Sequence, residues 1–65
     1  MNREAIKNKL RELRGHKTLE EVAMAVGVTR QAICNYELGT RIPSDDVKMK
    51  LADYFGTTVQ YIFYE

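Results

Sequence analysis

The sequence predicts an all-α protein, a compact five-helix domain, and three observations carry that expectation. Apolar residues recur at three- and four-residue spacing through successive segments, as one buried helix face requires. Residues that cap helix N-termini open four of these segments: Thr18, Thr29, Ser44 and Thr57 or Thr58. Glycines close or turn the chain after four of them, at Gly15, Gly27, Gly39 and Gly56. With 65 residues and 45% hydrophobic content, residues 1–65 are expected to form one domain near the lower size limit for folding alone.

The first helix is expected over residues 3 to about 14, with Ile6, Leu10 and Leu13 at i, i+4, i+7 as its buried stripe and Gly15 as its stop. His16 and Lys17 fall in the connection. Lys17 lies just before a helix start, where backbone N–H groups and a positive dipole end can hold a phosphate.

Leu19 to Leu38 reads as two short helices joined by a tight turn, a helix-turn-helix. Thr18 caps the first of the pair, with Glu21 three positions on to complete a capping box. Ala23 is small where the second helix must approach, and Gly27 sits where positive φ is needed. Ile33 points back into the core, and Ile33, Tyr36 and Glu37 share one face of the second helix. Its opposite face carries Arg30, Gln31, Cys34 and Asn35. Arginine can donate to guanine O6 and N7 together, and a glutamine or asparagine amide can pair with adenine N6 and N7, so this polar face suits base edges. Cys34, the single cysteine, reads as a small neutral filler with no partner for a disulfide.

Residues 38–44, LGTRIPS, form the next loop. Gly39 allows the turn, Thr40 and Arg41 are placed for phosphate contacts, and Pro43 fixes the exit before Ser44 caps the fourth helix. Asp45 and Asp46 suit the dipole of its first turn. Val47, Leu51 and Tyr54 or Phe55 give its buried stripe, with Met49 expected to be partly buried and Gly56 as the stop. A last short helix contains Val59, Ile62 and Phe63. Tyr61, Phe63 and Tyr64 make this end unusually aromatic, with more apolar surface than a lone small domain should expose. A homodimer contact is therefore expected at Val59, Tyr61, Phe63 and Tyr64, with Phe55, while Ile62 stays in the core of its own subunit.

The run TLEEVA from Thr18, then GVTRQ from Gly27, then NYELGTRIPS from Asn35, continuing through LADYFG from Leu51 to Ile62-Phe63, resembles the Cro/C1 (Xre) family of helix-turn-helix regulators over nearly the whole chain. The resemblance implies a lambda-repressor-like fold that binds double-stranded DNA. It implies that Arg30, Gln31 and Asn35 read bases while Lys17, Thr29, Thr40 and Arg41 hold phosphates. It also implies a pair between Arg11 of the first helix and Glu37, with Arg14 as the substitute because the following loop is one residue longer than the usual pattern. Leu19 departs from the family, which has a glutamine there that reaches a phosphate and braces the recognition helix. A leucine at that place either packs inward or meets a thymine methyl or sugar edge.

Charge is distributed to match. Residues 1–17 carry six bases and two acids, net +4, and residues 18–65 carry four bases and seven acids, net −3, so the overall +1 conceals a dipolar layout. No apolar run resembles a signal peptide or reaches membrane-spanning length, and a cytoplasmic location is expected. One histidine and one cysteine make no zinc set, and no nucleophile stands with a base and an orienting partner, so no cofactor, metal, small-molecule substrate or enzymatic role is expected. The functional expectation is a homodimeric transcriptional repressor, of prophage or mobile-element type, on a palindromic operator. A DNA-binding antitoxin, a restriction-modification control protein and a protein-interaction module on the same fold are the alternatives.

Overall fold

Five helices follow one another in the computed structural model of the chain, which describes residues 2–64. They are α1 (Arg3–Arg14), α2 (Leu19–Val26), α3 (Arg30–Leu38), α4 (Asp45–Phe55) and α5 (Val59–Phe63), with no strand among the described residues. The all-α, five-helix expectation holds. Every helix starts on a side chain that accepts from first-turn N–H groups: Asn2, Thr18, Thr29, Ser44 and Thr58 in turn. Thr18 and Glu21 form the full capping box. Such a cap is worth about 1 kcal/mol, which matters for helices this short.

The first helix packs on α3 and α5, α2 packs on α3 and α4, and α4 packs on α5. The core takes Ile6 and Leu10 from α1, Val22, Ala23 and Val26 from α2, and Ile33 and Tyr36 from α3. Leu51 and Ala52 of α4 and Ile62 and Phe63 of α5 complete it. The stripes read from helical spacing are thus the faces that meet. Leu13 and Leu19 pack at the edge of this core, half-buried, so Leu19 is turned inward. Beside Glu37 a void of about 10 Å³ remains, lined by Leu10, Val22, Ile33 and Leu51 among others, which is too small for a ligand.

Three expectations are corrected. Arg14, the substitute, and not Arg11 pairs with Glu37: both lie in the last turn of α1, but Arg14 is half-buried against α3, while Arg11 is exposed. Phe63, expected at a subunit contact, is only 1% exposed and is one of the largest fully buried side chains, so it closes the core of its own subunit beside Ile62. Met49 is exposed rather than partly buried. Its place in the core-facing row is taken by Lys48, 5% exposed, whose ammonium donates to Tyr64 Oη at 2.9 Å and lies 3.6 Å from Asp45 Oδ1 and 5.6 Å from the Phe63 ring centre.

Candidate nucleic-acid interface

The turn between α2 and α3 is built by Gly27, left-handed at φ 83°, ψ 32°, a conformation that a side chain would strain. Its N–H and that of Val28 both donate to Ala23 O, at 2.8 and 3.0 Å, which closes α2 and turns the chain into Thr29. Thr29 Oγ accepts from Ala32 N–H at 3.1 Å and retains its own proton for an acceptor outside the helix. Ile33, Tyr36 and Glu37 face inward, so α3 can present only its other side to a partner.

On that side Arg30 and Gln31 are exposed and Asn35 and Cys34 are half-buried. Gln31 Nε2 donates to Asn35 Oδ1 at 3.0 Å, one helical turn on. This fixes the sense of the Gln31 amide, leaving its oxygen and its second N–H outward, the acceptor and donor that an adenine edge complements. Arg30 Nε donates to Glu20 Oε2, in the first turn of α2, at 3.1 Å. Sequence spacing gave no hint of this pair, because ten residues and a turn separate its members.

The expected phosphate-binding residues lie at the flanks. Lys17 is exposed immediately before the α2 cap, and its carbonyl accepts from Arg14 Nη1 at 2.8 Å, which ties that loop to α1. Thr29 precedes α3. Arg41 is exposed in the loop after α3. Thr40 differs: its hydroxyl and its N–H both donate to Asn35 O, at 3.2 and 3.0 Å, so it closes the end of α3 and its hydroxyl proton is already engaged. The orientation of α3 is fixed from behind by a bidentate pair, Arg14 Nε to Glu37 Oε2 at 2.6 Å and Nη2 to Oε1 at 3.0 Å. The hydrogen bond to Glu37 outweighs burial and holds the Arg14 guanidinium above its ordinary pKa.

Of the residues expected at a subunit contact, Phe55 and Val59 are half-buried against the core, and Tyr61 and Tyr64 are exposed. Both tyrosines also bond within their own chain. Lys9 Nζ donates to Tyr61 O at 2.6 Å and stands 4.5 Å from its ring centre, and Tyr64 takes the Lys48 bond.

A capped helix, a left-handed glycine turn and a second helix held from behind while its polar face stays open define a helix-turn-helix domain. The helix-turn-helix family model matches residues 8–62, and the chain belongs to that family, of the Cro/C1 (Xre) type. It is 38% identical over 60 residues to an uncharacterized HTH-type transcriptional regulator of Methanocaldococcus jannaschii, a match covering 89% of this chain and 91% of the relative. No solved structure matches it significantly. Among the described residues, no helix is long and apolar enough to cross a membrane.

Proposed function

We propose that the chain is a sequence-specific regulator of transcription that inserts α3 into the major groove of duplex DNA. The observation that carries this is the outward face of α3, where Arg30 and a Gln31 amide of fixed sense offer complements to guanine and adenine edges. Asn35 supports Gln31 and adds a further amide, while Lys17, Thr29 and Arg41, with the N-termini of α2 and α3, hold phosphates on either side. Thr40 joins them through the loop it braces. One recognition helix covers only a few base pairs, so the working unit is a homodimer on a roughly palindromic operator, its two α3 helices about 34–36 Å apart. The contact is formed by the exposed rings of Tyr61 and Tyr64 with Phe55 and Val59. Occupation of an operator overlapping a promoter makes the protein a repressor.

Selection from a pool of random-sequence duplexes, followed by binding to the selected duplex across a salt series, tests this reading. A recovered motif with twofold symmetry and a steep salt dependence is the expected outcome. Recovery of no motif would sink it.

A further inference from the structure

Arg30 is the first residue of α3, where the positive end of the helix dipole disfavours a cation and α3 has no acid in its own first turn. Its acidic neighbour comes from the other helix: Glu20, in the first turn of α2, accepts from Arg30 Nε at 3.1 Å. The two terminal nitrogens of Arg30 make no hydrogen bond among the described residues. Leu19, which precedes Glu20, packs against the core and has no polar side-chain atom to offer Arg30. The side chains are 55% and 64% exposed, so the pair faces solvent on the side of the molecule that α3 presents.

We infer that Glu20 is a positioning residue for sequence recognition, one that commits Arg30 to end-on pairing with guanine. This rests on the reading of Arg30 as a base-contacting residue. A guanidinium has five N–H donors in a rigid plane and can meet a guanine through its two terminal nitrogens or through Nε and one of them. With Nε occupied by a carboxylate on a neighbouring helix, only the end-on edge is open. The plane is also fixed relative to α2, so less side-chain freedom is lost when the base is met. Glu20 is suited to this because the α2 N-terminus stabilises its charge. The same carboxylate repels nearby phosphates, so it trades non-specific affinity for discrimination.

The test uses a duplex selected by the parent protein from a random-sequence pool, with every single-base variant of it, at fixed salt. Parent, Arg30→Ala, Glu20→Ala, Glu20→Gln and the double alanine variant are compared. Arg30→Ala is expected to abolish the preference at one G·C pair. Glu20→Ala should reduce the preference at that same pair about two- to fivefold, the range an exposed ion pair supports, and leave binding to unrelated duplexes equal or tighter. Glu20→Gln, which keeps an oxygen for Nε, should retain most of the preference, and Glu20→Ala should add nothing once Arg30 is alanine. Unchanged preference in Glu20→Ala, with Arg30→Ala still losing it, overturns the positioning role alone. Loss at a different base pair overturns it too, since Glu20 would then touch a base itself. If Arg30→Ala shifts no preference, the assignment of Arg30 as a base contact fails first and this inference falls with it.

Discussion

Arg14 and Glu37 meet through two parallel hydrogen bonds, 2.6 and 3.0 Å long, that join the last turn of α1 to the inward face of α3. The carboxylate side chain is only 9% exposed and the guanidinium 25%, so the two members depend on each other unequally. Arg14 keeps the Lys17 carbonyl and more water if its partner is lost, whereas Glu37 is more deeply buried and accepts no other side-chain hydrogen bond among the described residues.

That inequality sets the first prediction. Arg14→Ala strands a buried carboxylate and should destabilise the fold by about 3–5 kcal/mol, and Glu37→Ala by less. Arg11→Ala should stay within about 0.5 kcal/mol, as exposed substitutions do. Urea unfolding of the three variants checks the order. An Arg11 effect as large as that of Arg14 would return the pairing to the position that family resemblance implied.

Base contacts and phosphate contacts should separate cleanly. Gln31→Ala is expected to leave stability nearly intact while removing about 1–3 kcal/mol of discrimination at one base position. Lys17→Ala and Arg41→Ala should weaken all duplexes alike and lower the slope of affinity against salt by about one per phosphate contact. Fluorescence anisotropy on matched and mismatched duplexes at several salt concentrations makes the comparison. A Gln31→Ala protein as selective as the parent would remove it from the base-reading set.

Assembly and core packing can be told apart at the end of the chain. Phe63→Ala should destabilise the subunit itself by about 3–5 kcal/mol, since it empties a fully buried site. Tyr61→Ala, at an exposed ring, should instead shift sedimentation at micromolar concentration from dimer toward monomer. A parent protein that sediments as a clean monomer would rule out a stable free dimer.

The buried ammonium of Lys48 gives the stability curve an alkaline limb. Its hydrogen bond to Tyr64 outweighs burial, and with the charge of Asp45 it keeps the group above the ordinary lysine pKa of 10.5. A folded-state pKa raised above the unfolded one contributes stability that is complete below the unfolded value and lost as pH rises through the folded value. Thermal unfolding should therefore show the Lys48 contribution complete and independent of pH between about pH 7 and 10, and a decline above that range which Lys48→Met lacks. Parallel alkaline curves for the two proteins would mean that Lys48 is not the group responsible.

Most of the fold was legible because it is written in local signals. Thr18 with Glu21, Thr29 and Ser44 mark helix starts, Gly27 and Gly39 mark stops, and the apolar spacing of Ile6 and Leu10 or of Ile33 and Tyr36 marks buried faces. The outward side of α3 followed from the same periodicity, as what the buried face leaves over. What stayed hidden depends on contacts between helices. Arg11 and Arg14 lie nearly one turn apart, and only the path of the loop decides which one reaches Glu37. Phe63 and Tyr64 are neighbours in an aromatic run, and only the docking angle of α5 decides which one is interior. Lys48 carries a charge that sequence assigns to solvent, and the Arg30–Glu20 pair bridges a turn that no spacing rule spans.

The placement of α5 against α1 has a consequence for synthesis. Ile6 and Leu10 leave the ribosome before their core partners Ile62 and Phe63, which are made tens of residues later. The interior cannot close on a nascent chain that lacks residues 59–63, so folding must wait for nearly the whole segment and then proceed in one cooperative step. A premature stop anywhere before Ile62 would release an open, apolar chain for proteolysis, not a weakened binder, so truncation should act on cellular abundance before it acts on DNA affinity.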